Sequence, residues 1–115
     1  MVAVRASAEN RHAVNADVLK ALGPGGYLVN ISRGIAIDET ALCEALETGV
    51  IAGAALDVYE HEPIVPDRLK ALENVVLTPH IAAFSESAQQ AQQELLVRNL
   101  EAFFAGKPLI SPVTL

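Results

Sequence analysis

Four side chains in this chain have the types and spacing to act on one small polar substrate: Arg33, Asp57, Glu62 and His80. A guanidinium fork can hold a carboxylate and an adjacent carbonyl oxygen in one plane, which a lysine point charge does less well. An imidazole can deliver a proton to that oxygen near neutral pH. A carboxylate beside the ring orients it and favours its charged form. Together they suit reduction of a 2-keto acid, with the hydride drawn from a nicotinamide cofactor because no side chain donates one. Read singly, each has an ordinary explanation as a surface ion pair, a loop cap or a structural histidine. Only their joint placement singles them out.

That placement depends on the elements between them. "MVAVR" and "NVVLTP" read as short apolar strands, "YLVNIS" as a strand covered on both faces, and "AGAALDVY" as a strand of small residues. Asn15 can cap a helix over "ADVLKAL" that Gly23 and Pro24 end. Asp38 can cap a second over residues 39–48, closed by Gly49, and Ser85 a long one running to about Ala105. A short helical turn is expected at "DRLKAL". The order β-α-β-α-β-loop-β-α predicts an α/β fold, a parallel sheet with helices on both faces. In such sheets, binding groups collect beyond the carboxyl ends of the strands. Arg33 follows the second expected strand, Asp57 and Glu62 the third, and His80 the fourth. His12 and His61 close no strand and read as surface residues.

Composition limits the alternatives. With 115 residues, 51% apolar and 19% charged, the length allows one domain with a real core and argues against disorder. No apolar run reaches the ~18 residues that span a bilayer and no signal peptide is evident, so a soluble, cytoplasmic protein is expected, with no membrane partner. A net charge of −6 with scattered basic residues argues against nucleic acid. The single cysteine, Cys43, offers neither a disulfide framework nor a cysteine metal site, and no metal is expected.

"VNISRGIAIDETALCEALETGVIAGAALDVYEHEP" followed by "NVVLTPHIA" resembles the D-isomer-specific 2-hydroxyacid dehydrogenases, most of all their hydroxypyruvate and glyoxylate reductase branch. The resemblance covers essentially the whole chain. It implies NAD or NADP as cofactor and a small 2-keto or 2-hydroxy acid as substrate. It implies that Arg33 binds the substrate, that His80 is the acid-base group and that Glu62 is its carboxylate partner. Asp57 would contact the nicotinamide carboxamide, with Ile31, Ser32, Arg33 and His80 nearby and Val4 lining the cofactor cleft. Arg5 stands where the family usually has proline, Ala36 is smaller than usual and Phe84 larger.

Two family parts have no counterpart here. There is no G-x-G-x-x-G turn to cradle a pyrophosphate, since "GPGG" stops a helix, and no substrate domain. Residues 1–115 are therefore expected to be the C-terminal half of a Rossmann domain, inactive alone. The first strand would lack its neighbour and present an unpaired apolar edge, so a homo-oligomer is expected. A non-catalytic, oligomeric interaction module is the alternative reading. A flavodoxin-like receiver is disfavoured because no acidic cluster follows the first strand.

Overall fold

The computed structural model describes residues 1–4 and 7–113, and Arg5 lies outside them. They form two compact units, Met1–Ala82 and Ala83 onward. In the first, α1 (Ala16–Leu22) leads into β1 (Tyr27–Asn30), α2 (Glu39–Glu47), β2 (Gly53–Leu56), α3 (Asp67–Lys70) and β3 (Val75–Leu77). The strands form a parallel sheet in the order β1-β2-β3. Leu28 pairs with Ala54, and Ala54 with Val75. This is the α/β, Rossmann-type arrangement that alternating strands and helices require.

The expected caps are in place. Asn15 accepts from the amides of Asp17 and Val18, and Asp38 from that of Ala41. Each satisfies donors that a helix start leaves free. Gly23 and Gly49 end their segments at φ 79° and 73°, where a side chain is disfavoured. The apolar faces meet in a core that includes Leu19, Leu28, Ile37, Leu42, Leu46, Ile51, Leu56 and Leu69.

The first expected strand is corrected. Among the described residues "MVAVR" forms no strand, and Val2 makes one parallel bridge to Asn30 through its amide and the Val29 carbonyl, at 2.7 Å. At the sheet edge only one side offers partners, so β-propensity alone does not extend the pairing. The other strands stop short of their apolar runs. Just past those ends the Asp57 amide still bonds to Asn30 and the Thr78 amide to Leu56, and the Tyr59 and Thr78 side chains hydrogen-bond across the two segments.

The second unit is α4 (Glu86–Phe104) with the segment after it. Ser85 caps it through the Ala88 amide at 3.2 Å. Asn99 holds the returning chain, accepting from the amides of Ile110 and Ser111 at 3.0 and 3.2 Å. No residue of α4 is buried. No helix among the described residues is long and apolar enough to cross a membrane.

Candidate active site

The carboxyl edge of the sheet begins at Asn30, the last residue of β1 and fully buried. Its side-chain oxygen accepts from the Ser32 amide at 3.0 Å and the Ser32 hydroxyl at 2.8 Å, while its amide donates to the Arg33 carbonyl at 3.0 Å. This turn closes locally on a side chain and presents Arg33 to solvent. Gly34 follows because nothing larger fits: a Cβ there would lie 1.9 Å from the Tyr59 carbonyl carbon. The arginine turn is thereby packed against the loop that leaves β2.

That loop carries Asp57, Tyr59 and Glu62. Asp57 is buried, and its Oδ1 accepts from the Thr78 hydroxyl at 2.5 Å and the Ile81 amide at 2.8 Å. Its Oδ2 accepts from the Ala82 amide at 2.8 Å. Burial alone would raise its pKa, but these three hydrogen bonds and the His80 charge prevail and hold the carboxyl below its usual range. The Tyr59 hydroxyl donates toward the Leu56 and Thr78 carbonyls at 3.2 and 2.9 Å, bridging the ends of β2 and β3.

Between Thr78 and the two amides held by Asp57 stands His80, at φ 56°. A non-glycine residue in the left-handed region persists where its surroundings hold it there. Asp57 supplies that hold by gripping the chain on both sides of the histidine. The His80 ring meets Glu62, Nδ1 to Oε2 at 2.9 Å, and the other Glu62 oxygen accepts from the Tyr59 amide at 3.0 Å. The His80 bond first, then that amide, hold the Glu62 carboxyl below its usual range, and the nearby Arg33 charge adds to them. With Nδ1 committed to Glu62, the ring has Nε2 for a second partner. Beside the pair opens a cavity of about 350 Å³ with largely apolar walls, among them Tyr59, Val65, Leu77 and Pro79.

The structure thus joins Glu62 to His80 directly, Asp57 to His80 through the backbone, and Arg33 to Glu62 through its charge. Ser32 is built into the arginine turn, while Val4 and Ile31 are exposed side chains outside the Glu62–His80 pair. Sequence reasoning missed Asn30, Tyr59 and Thr78 as builders of the site. A polar residue closing an apolar strand was the available sign for Asn30.

His12 is a second correction, because it is not a simple surface residue. It sits at φ 51°, half-buried, with Nε2 2.9 Å from Glu60 Oε1. Its partner is 48 positions away and has no signature in the local sequence.

Residues 1–82 match the NAD-binding domain of the D-isomer-specific 2-hydroxyacid dehydrogenases. Over 113 residues the chain is 48% identical to the hydroxyphenylpyruvate reductase of Plectranthus scutellarioides, and likewise to glyoxylate/hydroxypyruvate reductase A of Arabidopsis thaliana. Each alignment covers 98% of this chain and 36% of the relative, so the chain spans about a third of their length. Among solved structures it is similar to the NADPH-dependent glyoxylate/hydroxypyruvate reductase of Sinorhizobium meliloti in complex with NADP and malonate. That match has a TM-score of 0.89 and 49% identity, covering 98% of this chain and 35% of that one. The holo form of D-mandelate dehydrogenase from Rhodotorula graminis matches with a TM-score of 0.91 at 33% identity, over 99% and 33% of the two chains. A match over residues 1–82, with the parallel sheet and its polar carboxyl edge, places the chain in the family of D-isomer-specific 2-hydroxyacid dehydrogenases.

Proposed function

We propose that this chain is the second half of a Rossmann dinucleotide-binding domain in an NAD(P)-dependent reductase. The reductase would convert a small 2-keto acid of the hydroxypyruvate or glyoxylate class to its D-2-hydroxy acid. The observation that carries the reading is the Glu62–His80 pair at 2.9 Å, with His80 pinned in a left-handed conformation beside an exposed arginine. Arg33 binds the substrate carboxylate and steadies the carbonyl oxygen in the plane of its fork. His80 keeps Nδ1–H on Glu62 and gives the Nε2 proton to that oxygen as charge develops on it. Glu62 stabilises the ring while it is charged and fixes which nitrogen faces the substrate.

A nicotinamide cofactor supplies the hydride when bound. The residues present fit such a group. Asp57 uses three of a carboxylate's roughly four acceptor sites, leaving one for a carboxamide N–H. Ile31, Ser32 and Val4 would form the adjoining wall.

Self-association belongs to the same reading. Val18, Leu22 and Tyr27 are exposed beside β1, around an apolar hollow of about 440 Å³. Light scattering above the monomer mass at micromolar concentration is expected, and a clean monomer would remove this part.

The activity is tested in a chimera, with this chain replacing the corresponding segment of the Sinorhizobium reductase. Reduction of hydroxypyruvate or glyoxylate is expected, with His80→Gln abolishing most of it. A folded chimera that oxidises NADPH with neither acid would overturn the reading.

A further inference from the structure

A second cluster of charged groups lies beside the loop that carries Glu62. Arg11 and His12 both reach Glu60 Oε1, at 2.8 and 2.9 Å, and His12 Nδ1 stands 3.9 Å from Asp38. Glu39, in the first turn of α2, is buried, and its Oε1 accepts from the Glu60 backbone amide at 2.8 Å. These contacts join three separate segments of the chain, with the Glu60 side chain the least exposed among their partners.

Two consecutive amides of one loop are therefore divided between two carboxylates. The Tyr59 N–H holds Glu62, which holds His80, and the Glu60 N–H holds Glu39. The Tyr59–Glu60 peptide between them also lies against Gly34, where no Cβ fits. It carries the Glu60 N–H, and through the Tyr59 Cα it constrains the adjoining Val58–Tyr59 peptide, which carries the Tyr59 N–H. We propose that Glu39 is a positioning residue for the Glu62–His80 pair, fixing that peptide while Arg11 and His12 anchor the Glu60 side chain. Any consequence for turnover rests on the functional reading above, but the positioning does not.

The test uses the isotope-labelled 115-residue chain and two nuclear magnetic resonance signatures: the Tyr59 amide and the His80 ring nitrogens. Glu39→Ala should move both toward the positions they take in Glu62→Gln. Glu39→Gln, which keeps an oxygen acceptor at the same reach, should restore them. If Glu39→Ala does not fold, Glu39→Asp serves instead. It keeps the charge favoured at a helix start but shortens the reach, and should shift both signals part of the way. Ile51→Val is the control, a core change far from these hydrogen bonds in kind, and should leave both signals in place.

Wild-type signals in Glu39→Ala or Glu39→Asp would overturn the proposal. An equal shift in Ile51→Val would also overturn it, by showing general loosening. A chimera that reduces no keto acid, with these signatures as expected, would remove the functional reading and leave the positioning standing.

Discussion

The chain holds two histidine–glutamate pairs, both with a 2.9 Å contact and both with the histidine in the left-handed region. Their carboxylates, Glu60 and Glu62, come from one loop. They differ in what surrounds them. The Glu60 side chain is 11% exposed and shared with Arg11, and the His12 ring has a carboxylate near each nitrogen. The His80 side chain is 49% exposed against 32% for His12, and Glu62 36% against 11% for Glu60, with His80 Nδ1 on Glu62. One pair is enclosed and committed to its neighbours, and the other is open at an edge that also bears Arg33. A histidine–carboxylate contact therefore indicates chemistry only when the second nitrogen can reach a reactant.

The largest expected contrast is in turnover of the chimera. His80→Gln should lower kcat about 10²–10⁴-fold, the range for losing a general acid. His12→Gln should cost less than about tenfold in kcat and act mainly on thermal stability. Equal losses in kcat would erase the distinction between the pairs.

Arg33→Lys should come next. Losing the planar fork, at about 2 kcal/mol for a charged hydrogen bond, predicts a fall of roughly 30-fold in kcat/KM for the keto acid. Unchanged kcat/KM would remove Arg33 from the open site and leave His80 without a substrate clamp.

Gly34→Ala tests whether both pairs depend on one packed loop. The added methyl group meets the Tyr59 backbone, and overpacking of this kind costs about 1–3 kcal/mol. The urea midpoint should fall, and the His12 and His80 ring signals should both change. A change confined to one histidine would show that the two carboxylates are positioned separately.

The smallest effect is a difference in acid sensitivity. Burial would raise the pKa of Glu60, but its bonds to His12 and Arg11 outweigh that and lower it, while the His80 bond lowers that of Glu62. A lowered carboxyl binds its proton more readily in the unfolded chain, so its stabilisation is full above the ordinary range and fades as pH falls through it. Glu39 is raised, chiefly by burial, and runs the other way: its cost at neutral pH disappears on acidification. The urea midpoint should therefore drop in acid, and Glu60→Gln should flatten that drop more than Glu62→Gln does. The reverse ranking would mean that the enclosed pair is the weaker one.

Much of this was legible in the linear chain. Asn15, Asp38 and Ser85 announce their helices, because a capping side chain acts within three residues. The apolar runs before Arg33, Asp57 and His80 mark strand ends, and the parallel order puts those ends on one edge. Less visible were Asn30 and Thr78, polar residues whose partners are set by the turn they make. Invisible were Glu39 and His12, which meet Glu60 across 21 and 48 positions. "MVAVR" shows the converse, a run with strand propensity that makes only a single bridge at the sheet edge.

The amino-acid sequence by itself determined the helix starts and the parallel α/β order, and it nominated Arg33, Glu62 and His80 as candidates for keto-acid chemistry. The first two follow from short-range rules, capping and the period of apolar residues, and the candidates from their places after successive strands. Only the tertiary structure decided that Glu62 takes His80 while Glu60 takes His12, that Asp57 grips the backbone around His80, and that Gly34 must have no side chain. Each of these depends on which distant segments the shared core brings within hydrogen-bond reach, and hydrogen bonds act over about 3 Å however many residues lie between.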